Sequence, residues 1–245
     1  MMDKILCISQ ARMTSTRLPA KIMKRIDGRS LLDYHLSRLQ RSQTIDQLVV
    51  ATTSNAADDP IEKFCQDKNI DCVRGPEQDV LARYHQALQE YPADIIVRVT
   101  SDCPLIDPDL MDQVIQYYRD HRDRYDYVTL GPANFPRGLD VEVFSAKAME
   151  KACLQGHEPH QREHVTPYIY RENSEFNCGI FPSDHRLGHH RWCVDEPEDF
   201  DLITKILTAF KGKDDFSWQE CLAYFDDNPD WITINSAIKQ KALKE

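Results

Sequence analysis

ILCISQARMTSTRLPAKIMKRIDGR, residues 5–29, runs from an apolar, strand-like segment into a polar and strongly basic loop. Between Gln10 and Arg29 it carries Arg12, Arg17, Lys21, Lys24, Arg25 and Arg29 against one acid, Asp27, in a chain whose net charge is −10. A basic loop directly after a first β-strand lies at the carboxyl edge of an α/β sheet, where such folds bind ligands, so the reversal of sign points to an anion such as a phosphate-bearing ligand. A solvated basic surface is the alternative on charge alone.

The 245 residues suffice for one large α/β domain, read here as a single domain over 1–245 with an insertion over 135–185. An acidic chain with a pI near 5.4 argues against nucleic acid or an anionic membrane as partner and favours a small molecule. The start, MMDKILCI, is too short and too acidic for a signal peptide, and no run reaches the ~20 apolar residues of a membrane span, which leads us to expect a cytoplasmic protein. The eight cysteines show no C-x-x-C spacing and read as reduced packing residues. Neither G-x-G-x-x-G nor G-x-x-x-x-G-K-[ST] occurs, so a phosphate site must use side chains and a differently shaped loop.

Apolar runs alternate with amphipathic segments through the first half, the pattern of β-α units around a mainly parallel sheet. Strands are expected over 4–9, 48–52, 71–74, 95–100 and 125–130. Helices are expected after Ser30, from Asp59-Pro60, over 79–91 and over 108–119. Residues 135–144 begin as a turn and then alternate, which suits a hairpin or half-exposed strand. Helices follow over 146–155 and 162–171, a strand over 176–181, a last sheet strand over 190–195, a helix from Glu196-Pro197 to Phe210, and peripheral helices over 217–225 and 230–244.

Asp102 follows the strand over 95–100 and Asp195 ends the segment 190–195, so both acids are expected at carboxyl ends of strands, where they could converge on one metal. Asp102 reads either as a turn aspartate bonding its own backbone or as a hard oxygen ligand for Mg2+. Asp79 begins a helix whose backbone N–H groups face the ligand edge, although capping explains it equally well. His157, His160, His164 and the pair His189-His190 lack H-E-x-x-H order and are not read as a metal site; His164 beside Glu163 is a candidate acceptor contact.

Motifs over 11–21 (ARMTSTRLPAK), 49–53 (VVATT), 74–84 (RGPEQDVLARY), 98–108 (RVTSDCPLIDP), 136–144 (PRGLDVEVF), 162–170 (REHVTPYIY) and 194–200 (VDEPEDF) together resemble the cytidylyltransferases that activate sugar acids. These include CMP-3-deoxy-manno-octulosonate and CMP-N-acylneuraminate synthetases, and the branch most similar is the SpsF-type spore-coat-polysaccharide proteins. The resemblance implies a nucleotide-diphospho-sugar transferase fold, an α/β/α sandwich, Rossmann-like, dimeric through an extension such as 135–185. It also implies transfer of CMP from CTP to the anomeric hydroxyl of a sugar acid, with pyrophosphate release and Mg2+ as cofactor.

Carried over motif by motif, Arg12, Ser15, Arg17 and Lys21 would hold the CTP phosphates, with Asp79 and Asp102 also in the nucleotide site. Arg17, Lys21 and Asp102 would be catalytic, and Asp102 and Asp195 would hold the metal. Arg137, Asp140, Glu142, Glu163 and His164 would face the acceptor. A nucleotidyltransferase acting on a sugar or polyol phosphate, or a non-catalytic nucleotide-binding subunit, are the alternatives. Departures from the resemblance are Gln10-Ala11-Arg12 where P-A-R is frequent, Ala20 where glycine is frequent, Ser101 for the glycine before Asp102, and Val80 where the octulosonate enzymes place an arginine. Ala20 is expected to deprive the loop of glycine's positive-φ freedom.

Overall fold

β1 (Ile5–Gln10) is the axis of the molecule, because all but its last residue are buried and it is flanked by strands on both edges. The computed structural model describes residues 3–172 and 174–239. After β1 come β2 (Arg25–Ile26), β3 (Arg29–Ser30), α1 (Leu31–Leu39), β4 (Gln47–Thr53), α2 (Asp59–Lys68), β5 (Asp71–Gly75), α3 (Val80–Glu90) and β6 (Ile95–Thr100). The second half supplies α4 (Pro108–Asp120), β7 (Tyr127–Leu130), β8 (Glu142–Ser145), α5 (Ala146–Gln155), α6 (Pro159–His164), α7 (Pro167–Tyr170), β9 (Cys178–Phe181), α8 (Pro197–Ala209) and α9 (Trp218–Asp227).

Seven strands form one sheet in the order β5-β4-β1-β6-β8-β7-β9, with β8 alone antiparallel to its neighbours. Strand alternation divides the core into two layers. Ile5 and Cys7 of β1 face the layer built from α1, α2, α4, α8 and α9, whereas Leu6 and Ile8 face α3, α5 and α7. The fold is therefore a three-layer α/β/α sandwich, as the resemblance implies, around the mainly parallel sheet that the β-α alternation leads one to expect. Among the described residues no helix is long and apolar enough to cross a membrane. Cys178 is exposed, the other seven cysteines are buried or half-buried, and all are free thiols.

Several elements differ from the sequence reading. The segment 135–144 forms the expected strand at its end, β8, which pairs antiparallel with the preceding β7 and lies between β6 and β7; it is not half-exposed, since Leu139, Val141 and Val143 are buried on one side and Phe144 on the other. The expected helix over 162–171 is two short ones, because Pro167 cannot continue a helix and instead starts α7. No strand forms over 190–195. A single parallel bridge joins Arg137 to Arg191 there, yet Val194 N–H still donates to the Asp102 carbonyl at 2.9 Å. The segment after α9 begins with a short 3-10 turn at Pro229–Thr233 rather than a long helix, and residues 240–244 of that expectation lie outside the described residues.

Candidate active site

The carboxyl ends of β1 and β6 open into a cleft of about 1340 Å3. On its floor the Lys21 ammonium lies 2.6 Å from Asp102 Oδ2 and 2.7 Å from Asp195 Oδ1, with only 11% of the lysine side chain accessible. Burial by itself would raise both carboxyls. The Lys21 charge and its hydrogen bonds outweigh that, holding Asp102 far below the carboxylate range and Asp195 below it too. The same pairing overcomes burial in the other direction and holds the ammonium protonated.

Two arginines and their partners brace this centre. Arg17 reaches Glu196 at 3.0 Å and Asp195 at 3.3 Å. Arg191 donates to Asp195 at 3.0 Å and grips the fully buried Asp199 through Nε and Nη2 at 2.9 and 3.0 Å, and the Asp199 carboxylate also accepts Asn235 Nδ2–H. Asp195 is thus fixed from several directions, although it stands in a loop and not on a strand.

The basic loop owes its shape to local bonds. The Met13 carbonyl accepts N–H groups of both Ser15 and Ala20, and the Met13 N–H donates to the buried Asp58, which also accepts the Thr53 hydroxyl. Ala20 adopts φ 53°, in the left-handed region, and so the loop keeps the conformation glycine would favour, against the expectation drawn from its side chain. Lys21 emerges from the following turn toward the acids. Arg12 and Ser15 line the cleft, and Arg12 is exposed with no ion-pair partner among the described residues. Beyond Lys21, β2 and β3 form a small hairpin turning at Asp27 and Gly28, both at positive φ, which takes Arg25 and Arg29 away from the cleft.

Of the residues expected at the acceptor, Arg137, Glu163 and His164 line the cleft. His164 precedes Val165, whose φ of 73° with ψ −58° and the Thr166 N–H bond to the His164 carbonyl make a γ-turn, a strained geometry for a β-branched residue. Burial lowers the His164 ring from its ordinary value, so it is a neutral donor or acceptor in the cleft wall. Arg137 is held by Trp192 N–H donating to its carbonyl at 2.7 Å and by its own N–H donating to His190 O at 3.0 Å. That approach needs Gly138, since a Cβ there would lie 2.6 Å from the Trp192 backbone carbon.

Three expected site residues are not in the cleft lining. Asp79 spends one oxygen on the Ala82 N–H at the start of α3 and the other on Arg162 Nη2, the capping reading of that acid. Glu142 pairs with Arg98 across β8 and β6 and accepts the hydroxyls of Tyr127 and Thr166, so it closes a polar cluster inside the sheet. Asp140 accepts the Gly138 N–H at 2.8 Å and borders a separate hollow of about 180 Å3. Its side chain is exposed to solvent on one side, while the protein packed around the rest of it disfavours the charged form and pushes its carboxyl up.

Sequence reasoning passed over Arg83, Arg191 and Asp58. Arg83 lies inside the RGPEQDVLARY motif, but the sequence reading gives it no role. It is instead 2% exposed, lines the cleft, and donates to the Pro76 and Glu77 carbonyls with its Nε unpaired.

A model of the cytidylyltransferase family matches residues 6–225. The chain is 35% identical over 244 residues to an uncharacterised protein of Methanocaldococcus jannaschii, covering 99% of this chain and 98% of the other. It is 32% identical to the spore coat polysaccharide biosynthesis protein SpsF of Bacillus subtilis, covering 96% and 100%. Among solved structures, a cytidylyltransferase from Leptospira borgpetersenii superposes with a TM-score of 0.86 at 29% identity, over 98% of both chains. CMP:2-keto-3-deoxy-manno-octonic acid synthetase complexed with CTP shares the fold, with a TM-score of 0.64 at 16% identity over 84% of this chain and 99% of that one. A clustered pair of acids beneath a basic loop, set in this sheet and matched along nearly its whole length, means that the chain belongs to the cytidylyltransferase family.

Proposed function

We propose that the protein transfers CMP from CTP to a hydroxyl of a sugar acid, releasing pyrophosphate, in the synthesis of a surface polysaccharide. The reading rests above all on one observation, the Lys21 ammonium held between Asp102 and Asp195 on the cleft floor. The acceptor oxygen bonds to the α-phosphorus, the bond from that phosphorus to the bridging oxygen breaks, and pyrophosphate leaves with the electron pair while the hydroxyl proton passes to solvent. Little covalent chemistry falls to the protein, whose task is to position the partners and meet the developing charge. Arg12, exposed and without an ion-pair partner among the described residues, is available for bidentate contact with phosphate oxygens. Arg17 and Lys21 supply charge deeper in the cleft, with Lys21 on a flexible stem.

Asp102 and Asp195 fit a divalent cation. They are two carboxylates kept ionised within 2.7 Å of a common positive centre, and Mg2+ is commonly bound through one or two carboxylates plus substrate phosphates. Among the described residues there is no group of three or more His, Cys, Asp or Glu able to hold a metal, so the remaining ligands would be phosphate and water oxygens. When bound, the ion would supply charge neutralisation at the α-phosphate and the leaving group. Arg137 and His164 would meet the acceptor, the arginine taking its carboxylate.

The test is pyrophosphate release with each of four nucleoside triphosphates against a panel of sugar acids. CTP with at least one acid is expected to give turnover. Asp102→Ala is expected to abolish it, at least 100-fold, with the circular dichroism spectrum unchanged; turnover by that variant at the wild-type rate would sink the reading.

A further inference from the structure

His35 of α1 lies fully buried beneath the cleft floor and reaches both flanks of Asp102, Cys103 directly and Ser101 by way of Ser9. Its Nδ1 is 2.8 Å from the Cys103 carbonyl, its Nε2 is 2.8 Å from Ser9 Oγ, and Ser9 Oγ is 2.7 Å from Ser101 Oγ. Ser9 and Ser101 are also buried, Ser101 with its edge on the cleft.

The direction of every bond follows from one constraint. A carbonyl oxygen can only accept, so the ring proton sits on Nδ1. A neutral ring then leaves Nε2 an acceptor, Ser9 must donate to it, and the Ser9 oxygen is free to accept from Ser101. Burial keeps the ring neutral at physiological pH, pushing its pKa down to about 4. The relay runs Ser101 to Ser9 to His35 to Cys103. Beside the relay, and not part of it, the Cys103 thiol donates to Asp102 Oδ1 at 3.6 Å while Oδ2 accepts from Lys21.

We infer that His35 is a positioning residue for Asp102: a neutral imidazole, protonated on Nδ1, that clamps the Ser101-Asp102-Cys103 turn from below through Cys103 on one side and the Ser9–Ser101 hydroxyls on the other. The inference rests on the proposed role of Asp102 in nucleotidyl transfer. Ser101 gains a purpose in it, since a glycine at that position has no hydroxyl to enter the relay. The clamp matters because orientation at the reacting centre is worth large factors in rate, and small displacements of a charged group cost much of that advantage.

The full-length protein labelled with 15N-histidine gives a test that does not depend on turnover. Long-range 1H–15N spectra, with His35 assigned through its loss in His35→Asn, are expected to show Nδ1 protonated and Nε2 bare at pH 7; a proton on Nε2 overturns the inference. The second measurement is Mn2+ affinity in the presence of CTP, by water-proton relaxation, with kcat and KM beside it. His35→Leu is expected to weaken Mn2+ about tenfold and lower kcat at least tenfold while KM for CTP changes less than threefold. His35→Asn, which keeps a donor near the Nδ1 position, is expected to recover part of both. Should His35→Leu fail to fold, Ser9→Ala decides, because it cuts the relay and leaves the ring in place: a three- to tenfold loss of kcat and of Mn2+ affinity supports the clamp, and wild-type values overturn it. If the wild type itself shows no CTP-dependent turnover, the proposed reaction fails, while the tautomer and the Mn2+ affinities still report on the clamp.

Discussion

Ala20 carries a cost that its neighbours impose. At φ 53° its Cβ crowds the following carbonyl, a conformation that costs an L-residue roughly 1–2 kcal/mol, and the bonds from Ser15 and Ala20 to the Met13 carbonyl hold it there so that Lys21 points at Asp102 and Asp195. Ala20→Gly should therefore stabilise the protein by about 1 kcal/mol, which for a chain of this size raises Tm by about 2–4 °C, with KM for CTP unchanged. A calorimetric Tm that falls on this substitution would mean the loop is not held in the left-handed region. The alanine was legible as a departure, but its conformation was not, since the bonds that force it reach to Asp58 some 40 residues away. Asp79 and Glu142 carry the opposite lesson. Both acids sit in motifs that point to a site, and both are consumed by partners, Arg162 and Arg98, that sequence spacing cannot pair with them.

At the level of elements, β1, β4 and β6 were legible because buried parallel strands are continuous apolar runs, and α3 and α4 because their apolar stripes begin at a capping aspartate. The segment 190–195 has the apolar content of a strand, and yet it makes only one bridge, to Arg137. What sets it is close approach at Gly138, where φ is 104° and a Cβ would overlap the backbone of Trp192 and Cys193. Gly138→Ala should force the two segments apart, costing about 2–4 kcal/mol of stability and, through the shift of Asp195, at least tenfold in kcat/KM. Urea unfolding together with steady-state kinetics would check both, and a variant as stable and active as the wild type would show that the approach is not needed.

Over the whole molecule, acid stability is set by groups that the fold keeps from their ordinary protonation. His35 and His190 are buried and neutral, each pushed down to about 4, chiefly by burial. Around His35 the Asp102 charge favours protonation and Arg38 opposes it, and burial wins. In the unfolded chain both rings bind protons near pH 6.5, so the unfolded state holds more protons than the native one between there and pH 4, and stability falls with pH across that window. For His35 alone the loss approaches about 3 kcal/mol at pH 4. Below pH 4 the depressed carboxyls of Asp102, Asp195 and Asp214 extend the loss, because their native pairing is present above the ordinary carboxylate value and disappears as they protonate. Urea unfolding at intervals from pH 7 to pH 4 should show the decline beginning near 6.5. In His35→Asn, which has no ring to protonate, the slope over that window should drop by somewhat less than half, leaving the shares of His190 and of His164, whose ring burial also lowers; an unchanged slope would place the acid sensitivity elsewhere in the molecule.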